Sequence, residues 1–319
     1  MILELILSSI EEAASFVSKA TKKVVKCCRL YRNLRKKKNK TILDPMFVVP
    51  KPDGFAEDVV HQDMTQPFSN YFIASSHNTY LETYQLWGKS ISEGYRRTLR
   101  MGSRCIEIDV WDGENGSPVV THGWFTTSVP LMEVLEAIKE DAFVTSQYPV
   151  ILSIEDHTTR KQKSEVCHIL LNVLGDSLYS PKNDHHVLSP HSLRNKFIAT
   201  YSLDNNVHCY KSPFPQVQLD EATHNNFHPS AMVNLPENSG KTSTDKCKKW
   251  ARKQLVRVYP NGYRIFSGNF CPQTFWKEGV QIVALNYQTN DKHMRLNQEM
   301  FAQNGKSGYI LKPRELRPD

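Results

Sequence analysis

The sequence predicts an α/β protein that folds as a (β/α)8 barrel and carries a basic helical arm at its N-terminus. Short apolar runs alternate with helical stretches from residue 62 onward, and eight such runs over about 250 residues match the size of this barrel. An open doubly wound sheet is the alternative, which the lack of a glycine-rich loop after the first strand disfavours. The predicted strands are YFIAS (71–75), CIEIDVW (105–111), PVVTH (118–122), VILSIED (150–156), KFIATY (196–201), AMVNL (231–235), YRIFSG (263–268) and QIVALNY (281–287).

Helical segments fill the intervals between many of these strands. The predicted helices are 91–101, 128–143, 161–174 and 244–256. Residues 202–230, which are rich in Asn, His, Pro and Ser, predict a connecting loop.

The arm, residues 1–44, carries the positive charge of the chain. Residues 1–40 contain eleven Lys and Arg and three Glu, whereas the other 279 residues contain 29 basic and 30 acidic residues. Apolar positions at helical spacing precede a basic run, so we predict a helix that lies on an anionic membrane. A helix that packs on a neighbour or docks a regulatory protein is the alternative. The neutral body and the few aromatic residues of the arm disfavour nucleic acid as a partner.

Composition is that of an ordinary folded protein. Hydrophobic residues make up 39% of the chain, and the seven cysteines lack metal-ligand spacing, which argues against disorder and a disulfide scaffold. No apolar run approaches 18 residues, and no basic segment precedes the opening apolar run, so neither a membrane-spanning helix nor a secretory signal is predicted. Prolines predict a linker over residues 45–61. The expected location is cytoplasmic.

Polar side chains cluster at the ends of the first four predicted strands. They are His77 and Asn78, Glu107 and Asp109, His122, and Glu155. In a barrel, all six gather at the mouth formed by the carboxyl ends of the strands. Their oxygens suit Ca²⁺ or Mg²⁺, and the two imidazoles suit proton transfer near neutral pH. This set predicts metal-assisted cleavage of a phosphodiester, and a metal-dependent sugar enzyme or aldolase is the alternative.

Long motifs in the chain resemble a known family. The segments QDMTQPFSNYFIASSHNTYL, CIEIDVWDG, VVTHGW and YPVILSIEDH resemble the X region of eukaryotic phosphoinositide-specific phospholipase C. The stretch VRVYPNGYRIFSGNFCPQTFWKEGVQIVALNYQT resembles its Y region. The resemblance implies a distorted (β/α)8 barrel with one Ca²⁺ at its mouth, with an X half at 62–201, a linker at 202–230 and a Y half at 231–317. It also implies cleavage on the diacylglycerol side of the lipid phosphate.

The same resemblance implies roles for the polar cluster. His77 matches the histidine that stabilises a pentavalent phosphate, and His122 matches the general acid that protonates the diacylglycerol oxygen. The product then forms through a 1,2-cyclic phosphate. Either Glu107 or Glu155 takes the proton of the inositol 2-hydroxyl, and the sequence does not choose between them. The implied calcium ligands are Asn78, Glu107, Asp109 and Glu155.

The substrate-binding positions depart in part from the family. Arg257 matches an arginine that grips a ring phosphate, and Tyr259 matches a tyrosine that stacks on the inositol ring. A lysine pair that binds the ring 4- and 5-phosphates is replaced by Thr200 and Ser202, and a phosphate-contacting serine by Asn234. Each charge-assisted contact is worth roughly 1.5–3 kcal/mol. The loss predicts a preference for the bisphosphate that is lower by about 10²- to 10⁴-fold, toward phosphatidylinositol or its monophosphate.

An apolar rim and the partners complete the expectation. The resemblance places five side chains on a membrane-contacting ridge around the opening, for which ordinary packing is the alternative: Leu86, Trp87, Trp124, Phe125 and Tyr263. The pleckstrin-homology, EF-hand and C2 domains common in the family are not found in these 319 residues, so we expect the arm to anchor the chain to a phosphoinositide-containing membrane. A non-catalytic phosphoinositide-binding scaffold is the rival function, which the two histidines and four ligands disfavour.

Overall fold

A computed structural model of the chain describes residues 42–52, 56, 58–123, 125–180, 188–201, 232–239 and 245–317. The expectations for the arm before residue 42, for Trp124, for Ser202 and for the connecting loop at 202–230 fall outside the described residues. No helix in the described ranges is long and apolar enough to cross a membrane.

The elements alternate along the chain as the pattern of apolar runs predicts. The strands of the described residues are β1 Tyr71–Ser76, β2 Cys105–Trp111, β3 Val119–Val120, β4 Val129–Pro130, β5 Val150–Asp156, β6 Phe197–Tyr201, β7 Met232–Pro236, β8 Leu255–Tyr259, β9 Ile282–Leu285 and β10 Tyr309–Leu311. The α-helices there are α1 Glu93–Arg100, α2 Leu131–Asp141, α3 Arg160–Leu174, α4 Asp245–Lys253, α5 Gln273–Trp276 and α6 Lys292–Ala302.

Seven of these strands form a parallel wall in the order β6-β5-β2-β1-β9-β8-β7. One contact shows that the wall is strongly curved: Arg257 Nη1 on β8 lies 3.9 Å from Glu155 Oε1 on β5. In a flat sheet these two strands, four steps apart, would be about 19 Å from each other. β10 and the β3–β4 hairpin add antiparallel strands to β1 and β2. The predicted barrel class is confirmed, with seven parallel strands in the described residues.

Three predicted elements are corrected by the structure. Residues 263–268 form turns instead of a strand. The predicted helix 244–256 ends at Lys253. The barrel strand β8 begins two residues later, and its β-branched residues Val256 and Val258 face outward, alternating with inward-facing residues. The strand predicted at 118–122 shrinks to β3, which pairs antiparallel with β2 and lies off the parallel wall.

Alternation along the strands separates an interior layer from two outer layers. One apolar cluster fills the amino-terminal end of the barrel interior, and its strand residues include Ile73, Cys105, Ile151, Ile198, Leu255 and Ile282. Two further clusters pack the outward strand residues against the helices. The strand residues of the first cluster form the floor of the barrel. The next inward-facing residue of each strand, two positions later, lies nearer the carboxyl end, and polar side chains such as Glu107, Thr200 and Arg257 occupy several of these positions. The floor is therefore apolar and the mouth polar.

A buried arginine ties the helices to the floor end of the barrel. Arg104 has no exposed surface, and its guanidinium donates to the carbonyls of Leu99, Ser103, Ala142 and Ser146 at 2.6–3.2 Å. Leu99 and Ala142 lie at the carboxyl ends of α1 and α2, where helix carbonyls lack partners within the helix. The guanidinium thus provides a donor to one carbonyl at the end of each helix.

Candidate active site

His77 and Asn78 follow β1 directly at the polar end of the barrel. Asn78 has a φ of 43°, a left-handed conformation that asparagine adopts more readily than most residues. The turn directs its backbone N–H to Glu107 Oε2 at 2.7 Å, while the N–H of His77 donates to the Leu285 carbonyl at 2.8 Å. The end of β1 is thereby tied to β2 on one side and to β9 on the other.

Three carboxylates from β2 and β5 converge at this turn. Glu107 and Asp109 project inward from β2, and Asp109 is paired in register with Glu155 on β5. One oxygen of each lies within 4.8 Å of the others. Asp109 Oδ1 is buried and has no hydrogen-bond partner in the described part of the chain. This set of hard oxygen donors fits a cation of the Ca²⁺ or Mg²⁺ type.

A buried guanidinium lies against the same carboxylates. Arg257 is 0% exposed, its Nη2 donates to Glu107 Oε1, and its Nη1 lies 3.9 Å from Glu155 Oε1. Its Nε and Nη1 have no hydrogen-bond partner among the described residues. Its guanidinium carbon lies 5.4 Å from the centre of the Tyr259 ring. One positive charge thus faces three carboxylates, so the cluster favours a further cation.

This imbalance of charge shifts the pKa values of two carboxyl groups in opposite directions. Burial and the negative charges of Glu107 and Asp109 raise the pKa of Glu155 to about 8. Burial acts on Glu107 in the same sense, but Arg257 and His77 outweigh it and hold the pKa of Glu107 below its ordinary value. Among these groups alone, Glu107 is ionised at neutral pH and Glu155 retains its proton.

The two histidines border the acidic cluster. His77 Nε2 is 4.0 Å from Glu107 Oε2, and His122 Nδ1 is 3.7 Å from Asp109 Oδ2. Burial lowers the pKa of His77, although Glu107 opposes the effect, so this imidazole is neutral at pH 7. The hydroxyl of Tyr80 donates to Asp109 Oδ2 at 2.6 Å and lies 3.3 Å from His122 Nδ1. All six strand-end side chains of the predicted cluster therefore meet at one place.

Two amides that sequence reasoning missed join these groups. Gln85 Oε1 accepts from Asn78 Nδ2 at 2.6 Å, and Gln85 Nε2 donates to Asn286 Oδ1 at 3.2 Å. Asn286 Oδ1 also lies 3.0 Å from His77 Nδ1. Gln85 belongs to a loop, and 201 positions separate it from Asn286, so no local pattern signals the contact. The one available signal was the position of Asn286 near the end of a predicted strand.

A cavity of about 220 Å³ opens among these side chains. Tyr259 lines it, with its ring parallel to that of His77 and the two centroids 6.3 Å apart. Arg264 also lines it, but Arg264 Nη2 already donates to Glu237 Oε2 at 2.7 Å. No lysine occurs among the described residues that line the cavity.

Three predicted substrate contacts lie outside that lining. Thr200 is buried on β6, and its hydroxyl donates to the Leu152 carbonyl at 3.2 Å. Asn234 on β7 is paired in register with Arg257, and its buried Oδ1 lacks a partner in the described ranges. Arg257 itself reaches the cavity only through Glu107 and Glu155, which do line it.

Exposed apolar side chains stand near the opening. Trp87 is 49% exposed and Phe125 72% exposed, and Leu86 and Tyr263 are exposed as well. Tyr84 extends the group, because its ring lies 5.7 Å from that of Trp87. Four of the five predicted rim residues are thus exposed, and the fifth, Trp124, is outside the described residues.

Fold and site together define a class: a (β/α)8-barrel protein whose mouth carries a histidine pair beside an acidic centre able to hold a metal ion. Residues 64–201 match the family model described as phosphatidylinositol-specific phospholipase C, X domain, and residues 204–315 match the corresponding Y domain. The chain belongs to the phosphatidylinositol-specific phospholipase C family, as the motifs predicted.

Curated relatives and solved structures agree with this assignment. The chain is 35% identical over 331 residues to 1-phosphatidylinositol 4,5-bisphosphate phosphodiesterase delta-3-A of Danio rerio, covering 85% of this chain and 42% of that protein. It is 35% identical over 316 residues to the zeta-1 phosphodiesterase of Homo sapiens, covering 81% and 52%. The crystal structure of S. officinalis PLC21 superposes with a TM-score of 0.70 at 31% identity, covering 80% of this chain and 38% of that one. The chain spans about half or less of the length of these relatives.

Proposed function

We propose that this chain hydrolyses phosphoinositide lipids to diacylglycerol and an inositol phosphate, through a 1,2-cyclic phosphate, in a Ca²⁺-dependent reaction at a membrane surface. One observation carries the proposal: two histidines and three carboxylates line a single cavity at the carboxyl ends of the barrel strands. The names of the relatives, which are phosphatidylinositol 4,5-bisphosphate phosphodiesterases, support the substrate class.

The proposed chemistry is two successive in-line displacements at phosphorus. In the first, the inositol 2-oxygen forms a bond to phosphorus while the bond to the diacylglycerol oxygen breaks. His122 gives a proton to that leaving oxygen. His77, protonated on both nitrogens once the negatively charged phosphate is bound beside it, donates from Nε2 to the phosphate oxygens as charge builds on them. In the second, the oxygen of a water forms a bond to phosphorus while the bond to the inositol 2-oxygen breaks. His122 accepts a proton from that water, and the carboxyl group that took the proton of the 2-hydroxyl returns it to the 2-oxygen.

Glu155 is the better candidate for the proton acceptor of the 2-hydroxyl. Both oxygens of Glu107 are engaged, one by the guanidinium of Arg257 and the other by the N–H of Asn78. The side chain of Glu155 is 31% exposed, and Arg257 Nη1 and His157 Nε2 each lie 3.9 Å from one of its oxygens. A base must reach its proton, must not be held by other donors and must be ionised. Glu155 meets the first two conditions, and a cation bound beside it would lower its raised pKa and so meet the third.

The acidic centre would hold the cation through Glu107, Asp109 and Glu155, with the carboxamide of Asn78 beside them. A divalent cation bound there would lower the pKa of the attacking hydroxyl and neutralise charge on the phosphate. The all-oxygen donor set and the unpartnered Asp109 Oδ1 support Ca²⁺ or Mg²⁺ over a softer metal. We assign Ca²⁺ because carboxylates from two strands and a carboxamide from a turn form an irregular set of donors, and Ca²⁺ tolerates irregular geometry better than Mg²⁺.

The ring-phosphate contacts favour lipids with few ring phosphates. Tyr259, which lines the cavity, would stack on the inositol. Arg257 lies behind Glu107 and Glu155, so its two unpartnered nitrogens would grip a ring phosphate only once these carboxylates move aside. Thr200 is neutral, buried and already bonded to the Leu152 carbonyl, and the described lining holds no lysine. Asn234 and Ser202 would add neutral contacts at most. The expected order of turnover is therefore phosphatidylinositol or its monophosphate ahead of the 4,5-bisphosphate.

Membrane contact would come from the rim and the arm. The exposed side chains of Leu86, Trp87, Phe125 and Tyr263 support insertion into a lipid interface beside the cavity. Trp124, by its position in the sequence, would belong to the same surface. The basic arm would bind anionic lipid of the cytosolic leaflet, which corresponds to a peripheral cytoplasmic location. A regulatory protein bound through the arm is a further partner that we propose for this segment.

The test is release of water-soluble inositol phosphates from vesicles that contain phosphatidylinositol, its 4-phosphate or its 4,5-bisphosphate. We expect release that requires Ca²⁺ and stops with a chelator. The variant His122→Ala should lose at least about 10²-fold in rate, since general acid catalysis contributes that much, while it still binds the vesicles. The control His168→Ala changes an exposed histidine on α3 and should leave the rate unaltered. Vesicle binding without release from any lipid would instead indicate a scaffold.

A further inference from the structure

Gln85 lies at the centre of the loop that carries the exposed rim. Its neighbours Tyr84, Leu86 and Trp87 are each at least 38% exposed, whereas Gln85 is 7% exposed and points into the barrel mouth. Its backbone N–H donates to the Ile265 carbonyl at 3.0 Å, which fixes the loop against the segment after β8. The loop therefore presents apolar groups outward and one amide inward.

Every polar atom of the Gln85 side chain is engaged by another buried side chain. Oε1 accepts from Asn78 Nδ2 at 2.6 Å, and Nε2 donates to Ser267 Oγ at 2.8 Å and to Asn286 Oδ1 at 3.2 Å. Ser267 is fully buried with a φ of 53°, and its hydroxyl donates to the Thr83 carbonyl at 2.6 Å. Because the backbone of Ser267 is held in this left-handed conformation, its hydroxyl gives Gln85 Nε2 an acceptor at a fixed position.

Each asparagine in turn contacts one of the two histidines. Asn286 Oδ1 lies 3.0 Å from His77 Nδ1, and Asn78 Nδ2 lies 3.3 Å from His122 Nδ1. An amide oxygen only accepts and an amide nitrogen only donates. A neutral His77 must therefore carry its proton on Nδ1. His122 is not fixed in the same way, because the Tyr80 hydroxyl gives its proton to Asp109 Oδ2, and its oxygen, 3.3 Å from His122 Nδ1, can accept there.

The orientation of Gln85 decides which way both asparagines face. Asn286 must turn its oxygen toward the Nε2 donor of Gln85, and Asn78 must turn its nitrogen toward the Oε1 acceptor. We propose that Gln85 is a positioning residue that sets the tautomer of His77 and links this histidine to the exposed rim loop. It acts through Asn286 and does not itself touch substrate in this proposal.

The direct test reads the tautomers by nitrogen NMR of the imidazoles in the full chain, without substrate. In the wild type we expect His77 to be protonated on Nδ1 at pH 7.5. In Gln85→Ala and Gln85→Glu, His77 should shift toward mixed tautomers. A wild-type His77 protonated on Nε2 instead would overturn the proposal without the need for any variant.

A matched control is available in Gln288. Gln288 Nε2 also donates to Ser267 Oγ, at 3.3 Å, but no hydrogen bond joins it to Asn78 or Asn286 in the described part of the chain. Gln288→Ala should leave the imidazole signals of His77 as in the wild type. Equal changes in Gln288→Ala and Gln85→Ala would mean that Gln85 acts only as part of the general packing, and the proposal would fail.

A kinetic measurement tests the consequence for turnover, which rests on the proposed function. On a soluble, short-chain phosphatidylinositol below its micelle concentration, Gln85→Ala should lower kcat by about 10- to 100-fold with KM within about twofold, as loss of an orienting partner does elsewhere. Unchanged kcat together with an altered tautomer would show that the positioning has no catalytic consequence, and it would overturn the proposed effect on turnover. Absence of any hydrolysis by the wild type would refute the proposed function alone, because the tautomer measurement does not depend on it.

Discussion

Arg257 on β8 and Glu107 on β2 form an ion pair inside the barrel, although β1 and β9 stand between their strands in the sheet. The contact spans the barrel interior and joins two segments that lie 150 positions apart in the sequence. Arg257 is the fully buried cation of the acidic cluster, so it offsets part of the repulsion among Glu107, Asp109 and Glu155. The pair therefore supports both the stability and the charge of the site.

Removal of one member of this pair should destabilise the fold strongly. Arg257→Met leaves Glu107 buried without its cation, and we expect the free energy of unfolding to fall by about 3–5 kcal/mol. The double variant Arg257→Met with Glu107→Gln should regain much of that loss, because no buried charge is left unpaired. Urea unfolding followed by circular dichroism measures both. Arg252→Met, which removes a more exposed arginine, is the control and should change stability by less than about 0.5 kcal/mol. Equal losses in the single and double variants would contradict the pairing.

Cation affinity should rise with pH through the titration of Glu155. The raised pKa of about 8 means that the folded, metal-free chain keeps a proton that the unfolded chain loses near pH 4.5. The contribution of Glu155 to stability is therefore present below about pH 4.5 and lost as pH rises through about 8. Cation binding needs the carboxylate, so the affinity for Ca²⁺ should increase up to tenfold per pH unit below 8 and level off above it.

Isothermal titration calorimetry with Ca²⁺ at pH 6, 7, 8 and 9 measures this dependence. Glu155→Gln should bind Ca²⁺ more weakly and should lose the pH dependence in this window. A wild-type affinity that stays constant between pH 6 and 8 would show that Glu155 binds no cation or titrates elsewhere.

Vesicle binding should depend on the exposed rim and not on exposed apolar groups in general. Trp87→Ser removes a side chain worth about 1.5–3 kcal/mol when buried in an apolar phase, so we expect binding to vesicles to weaken by about 10- to 100-fold. Val144→Ser is the matched control, because Val144 is 69% exposed but follows α2 at the floor end of the barrel. Sedimentation with vesicles compares the two. Equal weakening in both variants would argue against a localised rim.

The floor end of the barrel offers a test of packing around Arg104. A Cβ on Gly308 would lie 2.6 Å from the Gly102 carbonyl oxygen and would collide with Arg104 Cγ, and the φ of Gly308 is 79°. Gly308→Ala should therefore lower the free energy of unfolding by about 2–4 kcal/mol, from backbone strain and overpacking together. Gly102→Ala shares the positive φ but meets nothing within 4 Å, so it should cost only about 1 kcal/mol. Thermal unfolding compares the two variants. Similar losses of stability would show that the groups around Gly308 move and relieve the collision.

The sequence predicts most of the acidic cluster because its signals are local. Glu107 and Asp109 stand two residues apart in a strand, and His77 ends another, so period-two alternation and strand ends place them at one mouth. Gln85 and Asn286 escape prediction because their contact depends on the relative placement of two loops far apart in sequence. Strand β8 was missed since a basic helical stretch runs into it without a turn signal between them.

The apolar floor and the polar mouth have a consequence for how this barrel can change over time. Along β2, Cys105 in the floor and Asp109 at the mouth are about 13 Å apart. Few side chains reach across that distance, so the apolar groups of the floor are separate from the groups that face a ligand. The Arg257–Glu107 pair is a mouth contact that serves both stability and the site. Substitutions at the mouth can therefore change the head-group preference, while the apolar floor that every such variant needs in order to fold stays the same.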